Sequence, residues 1–170
     1  PSPLAADVLA LLQSAAASAR ADADALRDAP LARLLASVAV GRELHAQALA
    51  TAVGRPVPAT PFVVPASVPA GLCAAEATAL VQAEDALGLV WEVVAARSDG
   101  DARTTAATRA TQHRDRAEAW AVAGELAGTG LDPRRAAYDL PTELLDPVTD
   151  PAQVAAVLGA LEAGLAQDYA

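Results

Sequence analysis

The chain has 170 residues and a formal net charge of −9, and each of its 12 basic residues is an arginine. That length supports one domain with a real core. The acidic balance, with no basic stripe, argues against DNA and RNA partners and against an anionic membrane surface. Hydrophobic residues make up 54% but aromatics only 3%, because alanine fills the sequence. Alanine is the best helix former and lets helices approach closely, so composition points to an all-α protein.

Five segments carry a helical period. In the first, Leu4, Val8, Leu11, Leu12, Ala15 and Ala19 share a face, and the pattern fades in "ADADALRDAP". Pro30 opens the second as a first-turn proline. Leu31, Leu35, Val38, Arg42, His45, Leu49 and Ala52 then follow a 4-3 spacing until Gly54 and Arg55-Pro56 stop it. The third is expected from near Gly71 to the turn Ser98-Asp99-Gly100. The fourth runs from about Asp101 to Leu126 with Ala106, Ala110, His113, Ala117, Trp120 and Gly124 inward. The glycine-bearing "GELAGTGLDP" after it reads as a helix C-cap rather than a phosphate cradle. The last helix starts at Asp150-Pro151, a cap followed by proline, and buries Val154, Val157, Leu158, Leu161 and Leu165.

Between the second and third helices, "RPVPATPFVVPASVP" carries Pro56, Pro58, Pro61, Pro65 and Pro69. Extended at about 3.1 Å per residue, such a segment reaches roughly 45 Å, longer than a helix of some 24 residues at about 36 Å. Phe62, Val63 and Val64 favour a strap packed on the helices, crossing them end to end so that helices two and three run parallel. Short links join helices one to two and three to four. The expected fold is a single ferritin-like four-helix bundle over 1–170: a helical hairpin at 1–54, a Pro-rich crossover at 55–70, a second hairpin at 71–127, and a wrapping segment with a fifth helix at 128–170. Within the wrap, Tyr138 and Leu140 are expected to be buried.

Few polar groups fall on inward positions. Glu84 lies among Leu80, Leu87, Trp91 and Val94; Arg42 and His45 interrupt the second helix, and His113 the fourth. A ferritin-type metal site would use Glu-x-x-His, which is missing: "RELHAQ" sets Glu43 and His45 two apart, and His113 and Glu118 are five apart. Two readings remain. One is a satisfied buried polar cluster of Arg42, His45, Glu84, His113 and Arg114, in which Glu84 pairs first with His113 or Arg114 and second with Arg42 or His45. The other is a mononuclear divalent-metal site held by His45, Glu84 and His113. The first is preferred, because a neighbouring arginine repels a cation. No nucleophile–base order is evident, so no catalytic residue or cofactor is expected. The lone Cys73 excludes an intrachain disulfide and reads as a small buried hydrophobe.

No apolar run reaches the roughly 18 residues of a membrane span. The chain opens "PSPLAADV" without an initiator methionine, which leaves room for an upstream segment.

"AEDALGLVWEVVAAR", "QHRDRAEAWA", "PRRAAYDLP" and "DPVTDPAQVAAVLGALEAGLAQDYA" together resemble the actinobacterial ferritin-like domain of unknown function 4439. Glu84, His113, Arg114, Tyr138, Leu140, Pro141 and the run Pro147 to Ala152 carry the likeness over about residues 75–170. "GRELHAQAL" is a looser match, with Arg42 where a first histidine stands, and Asp85 likewise replaces a histidine. The resemblance implies a ferritin-like helical fold, export or lipoprotein attachment at the cell envelope, and no established activity. It names an architecture, not a reaction. The resulting expectation is a non-catalytic interaction or structural module with a protein partner or a second copy of itself. A degenerate ferritin-like metalloprotein is the alternative.

Overall fold

The computed structural model describes residues 3–55, 63–69, 71–146 and 150–169, and the regular structure among them is entirely helical. The chain divides into two compact units, Pro1–Pro61 and Phe62–Tyr169.

The first unit is a hairpin of α1 (Pro3–Ala25) and α2 (Ala29–Ala52). Asp28 caps α2 by accepting from the Leu31 amide at 3.1 Å, with Pro30 in the first turn. Arg42 Nη1 donates to the Ala15 carbonyl at 2.9 Å and Arg20 Nη2 to Glu43 Oε1 at 2.8 Å. Leu9 and Leu12, early in α1, pack with Ala46, Leu49 and Ala50, late in α2, so the helices are antiparallel. Their seam is built from alanine: Leu9, Ala16 and Ala19 of α1 and Ala39, Ala46 and Ala50 of α2 are buried. The expected stripe is therefore corrected. Leu4, Val8, Leu11 and Leu31 remain exposed, because small side chains bring two backbones together and the bulkier leucines are displaced to the flank.

The second unit contains α3 (Ala74–Arg97), α4 (Gly100–Ala123), α5 (Thr142–Leu145) and α6 (Pro151–Asp168). Glu76 accepts from the Cys73 amide at 2.8 Å, so α3 begins at Ala74 rather than near Gly71. Cys73 is exposed at this cap, not buried as expected. Gly100, with φ 55°, lets the chain reverse into α4. At the far end Gly124 caps α4 with φ −87°, but the left-handed residue is Glu125, at φ 56°.

α3 is the centre of this unit. Leu80 and Val81 pack with Trp120 and Ala121 of α4. Leu87 and Val90 pack with Leu144 of α5 and with Leu158 and Leu165 of α6, joined by Val154, Val157 and Leu161. The segment from α4 to α6 follows the expected irregular course, broken by α5 alone among the described residues. Tyr138 and Leu140 are half-buried within it.

Of the Pro-rich connector, Val64 packs on the Leu80–Trp120 cluster and Val63 is exposed. The expected end-to-end crossing depends on residues 56–62, Phe62 among them, which lie outside the described residues. Among the described residues no helix is long and apolar enough to cross a membrane.

Candidate functional site

Glu84 points into the second unit and is fully buried, as is His113 on α4. Glu84 Oε2 accepts from His113 Nδ1 at 2.6 Å. Glu84 Oε1 accepts from Arg116 Nε and from the Tyr169 hydroxyl, each at 2.7 Å. The other ring nitrogen of His113, Nε2, faces Glu162 Oε1 of α6 at 3.2 Å, and the Trp91 indole donates to that oxygen at 2.9 Å. Trp120 closes the set by donating to the Tyr169 oxygen at 2.8 Å.

The local sequence explains this convergence. His113 and Arg116 are three apart and share one face of α4. Glu162 lies four residues after Leu158 and Tyr169 four after Leu165, so both project from the buried stripe of α6.

His113 lies between two carboxylates, a setting that favours a proton on each ring nitrogen. Arg116 Nη2 lies 2.7 Å from Nδ1, but a nitrogen that donates to Glu84 has no lone pair to offer. The guanidinium and the ring are therefore neighbours that both serve Glu84. Burial works against the charge on His113, but the bonds to Glu162 and Glu84 outweigh it and raise its pKa above the ordinary 6.5. Burial also opposes charge on Glu84. There the bonds from His113, Arg116 and Tyr169 prevail and hold its pKa below 4.5. Glu162 is lowered in the same way: burial opposes, and His113 and Trp91 overcome it. Burial and the bond to Glu84 raise the Tyr169 phenol, which keeps it a donor.

A second buried carboxylate stands beside the first. One residue on, Asp85 points about 100° away from Glu84 around α3. It is paired with Arg114, accepts from the Tyr138 hydroxyl at 2.7 Å and from the Arg135 amide at 3.2 Å. Arg114 also grips Glu92 with Nε at 2.9 Å and Nη2 at 3.0 Å. Burial, then the bond to Asp85, pushes the Tyr138 phenol up to about 12. Asp85 thus fastens the irregular segment to α3, as Glu84 fastens α6. Gly88 makes room for this pairing, since a Cβ there would lie 2.8 Å from Arg114 Cδ.

Of the residues singled out from the sequence, Glu84 and His113 meet directly. Arg114 does not serve Glu84; the role belongs to Arg116, because Arg114 is turned by two positions towards Asp85. Arg42 binds the Ala15 carbonyl within the α1–α2 hairpin. His45 is exposed, since its neighbour Ala46 takes the seam position. The sequence reading passed over Arg116, Glu162 and Tyr169. A polar residue recurring at the spacing of the Leu158–Leu165 stripe was the available signal, the same one that marked Glu84.

The central pair of the cluster is fully hydrogen-bonded. Both oxygens of Glu84 and both nitrogens of His113 have partners, and among the described residues no buried side-chain nitrogen or oxygen lacks one. Nor do they contain a group of three or more His, Cys, Asp or Glu placed to hold a metal ion.

Two helical hairpins with short internal links, a long proline-rich link between them and a C-terminal helix define an all-α module with the chain order of ferritin-like proteins. The chain belongs to the family described as "Domain of unknown function (DUF4439)", whose model matches residues 74–170. No curated protein and no solved structure matches it.

Proposed function

We propose that this chain is a non-catalytic helical module of the cell envelope, which acts through its surfaces as an interaction or structural element. The observation that supports this reading is the closure of the polar set around buried Glu84 and His113. Glu84, His113, Arg116, Glu162 and Tyr169 bond one another, two carboxylates against two cationic side chains. A catalytic or metal-binding carboxylate keeps a coordination position open to water or substrate; Glu84 instead fastens α6 to the α3–α4 hairpin. The envelope location rests on the family resemblance alone.

The alternative, a degenerate metalloprotein using His45, Glu84 and His113, has less support. His45 is exposed on α2, and Arg116 sits on the carboxylate where a divalent cation would bind. Elemental analysis of the purified protein, combined with melting in the presence and absence of a chelator, separates the two. The structural reading expects no stoichiometric metal and an unchanged melting temperature. One bound metal per chain, with chelation destabilising the wild type but not Glu84→Ala, would overturn it.

A further inference from the structure

Apart from the closed polar set, the second unit holds a half-open groove of about 340 Å³ between α3, the segment 138–141 and α6. Leu87, Val90, Leu140 and Leu161 give it apolar walls. Gly164 edges it on α6, where a Cβ would meet nothing within 4 Å. Glycine is a poor helix former and packing does not require it here; its effect is to leave the groove open. Two carboxylates, Asp139 and Asp168, line the same groove, and no basic side chain does. Neither carboxylate has a hydrogen-bond or ion-pair partner among the described residues. Both stand towards one end. Asp168 precedes Tyr169, whose hydroxyl reaches Glu84, and Asp139 follows Tyr138, whose hydroxyl reaches Asp85. From that turn of α3 to Val90 is about 9 Å at 1.5 Å per residue.

We infer that this groove binds a small aliphatic ammonium ion, with the ammonium at Asp139 and Asp168 and the alkyl chain along Leu87, Val90 and Leu161. The inference goes beyond the reading of the protein as an interaction module, and neither carboxylate belongs to the closed polar set. Size supports it. The volume falls at the lower end of small-molecule sites, roughly 300–1,000 Å³, and a chain of about six carbons, at about 1.5 Å per bond, spans the apolar length. Charge supports it as well. The two carboxylates lack a cationic partner of their own, and the net charge of −9 draws cations to the surface. An anionic ligand would meet like charge in the same place. A neutral one would gain the apolar walls but nothing from the carboxylates.

Titration of the nitrogen-15-labelled full chain with hexylammonium chloride, followed by amide NMR near neutral pH, tests this. Saturable shifts are expected at Ala83, Ala86 and Gly164, which line the groove, with a Kd on the order of 1 mM for so small a ligand. Butylammonium, shorter by two methylenes, should bind about tenfold more weakly. Hexanol should bind at least about fivefold more weakly, and hexanoate more weakly still. Asp139→Asn with Asp168→Asn should remove the preference for hexylammonium over hexanol. Gly164→Leu, with helical content by circular dichroism unchanged, should abolish saturation by filling the groove. Shifts that do not saturate by about 20 mM, or that scatter over other acidic residues, would overturn the proposal. So would a hexylammonium preference that survives the double asparagine substitution, or binding that ignores Gly164→Leu. None of these results bears on the closed polar set, whose failure shows instead as bound metal.

Discussion

The α1–α2 hairpin and the α3–α6 unit are written in the same alanine-rich sequence, yet they bury different things. The hairpin closes on an alanine seam and leaves eight large apolar residues exposed (Leu4, Val8, Leu11, Leu26, Leu31, Leu34, Val40, Leu44), against four in the longer unit, among the described residues. The α3–α6 unit surrounds α3 with α4, α6 and an irregular segment, and it encloses two carboxylates. Its buried charges need specific partners, so few arrangements of α6 and the loop satisfy them. The alanine seam makes no such demand. The family match begins at the first residue of α3 and covers the helices of the second unit. One region is therefore specified by polar pairing, and the other by the close packing of small side chains.

The largest expected effect breaks the polar pairing. Glu84→Ala should destabilise the protein by about 3 kcal/mol in chemical denaturation, since buried His113 and half-buried Arg116 lose their shared carboxylate. Glu84→Gln should cost less, because the amide oxygen still accepts a hydrogen bond. A near-neutral Glu84→Ala would mean that the clasp does not hold α6.

Stability should also depend on pH in a definite way. His113 has a raised pKa in the folded state, so its contribution is complete below the ordinary 6.5 and is lost as pH rises through the folded value. Glu84 and Glu162 are lowered, so theirs is present above 4.5 and is lost as pH falls through their folded values. The clasp should be strongest between about 4.5 and 6.5 and weaken on both sides. Denaturation midpoints measured across this range check it; in His113→Gln the fall on the alkaline side should be much reduced.

A smaller effect sharpens the second carboxylate's role. Gly88→Ala should destabilise by about 1 kcal/mol although alanine favours helix, because the new methyl displaces Arg114 from Asp85. With Arg114→Ala already present, the same change should become stabilising by up to about 1 kcal/mol. No reversal of sign would mean that the contact does not constrain position 88. Smallest of all, Glu125→Gly should raise stability by about 0.5–1 kcal/mol by relieving a left-handed residue with a side chain. An unchanged melting curve would count against strain at that turn.

Much of the architecture was legible in the sequence. Helix limits follow from Pro30, Gly54, Ser98-Asp99-Gly100 and Asp150-Pro151, which punctuate the chain through their own backbone chemistry. Which side of a helix faces inward was legible in α6, where large residues mark it, and in α4, where Ala106, Ala110, His113, Ala117 and Trp120 are buried as their spacing indicated. In α1 and α2 the leucine spacing pointed to one flank while the alanines made the seam, and periodicity weighted by size cannot see that. For the site, Glu84 and His113 stood out as polar residues on apolar stripes. Choosing Arg116 over Arg114 required knowing how α4 is rotated against α3. Placing Glu162 and Tyr169 required the docking of α6, which no local pattern contains.

Nitrogen-15 NMR of the His113 ring across a pH titration tests the clasp most directly, with His45 giving the other histidine signal. Both ring nitrogens of His113 should carry protons, its midpoint should lie above the ordinary 6.5, and added zinc should leave the signals unchanged. A neutral ring with one bare nitrogen below that pH, or signals shifted by stoichiometric zinc, would contradict the account.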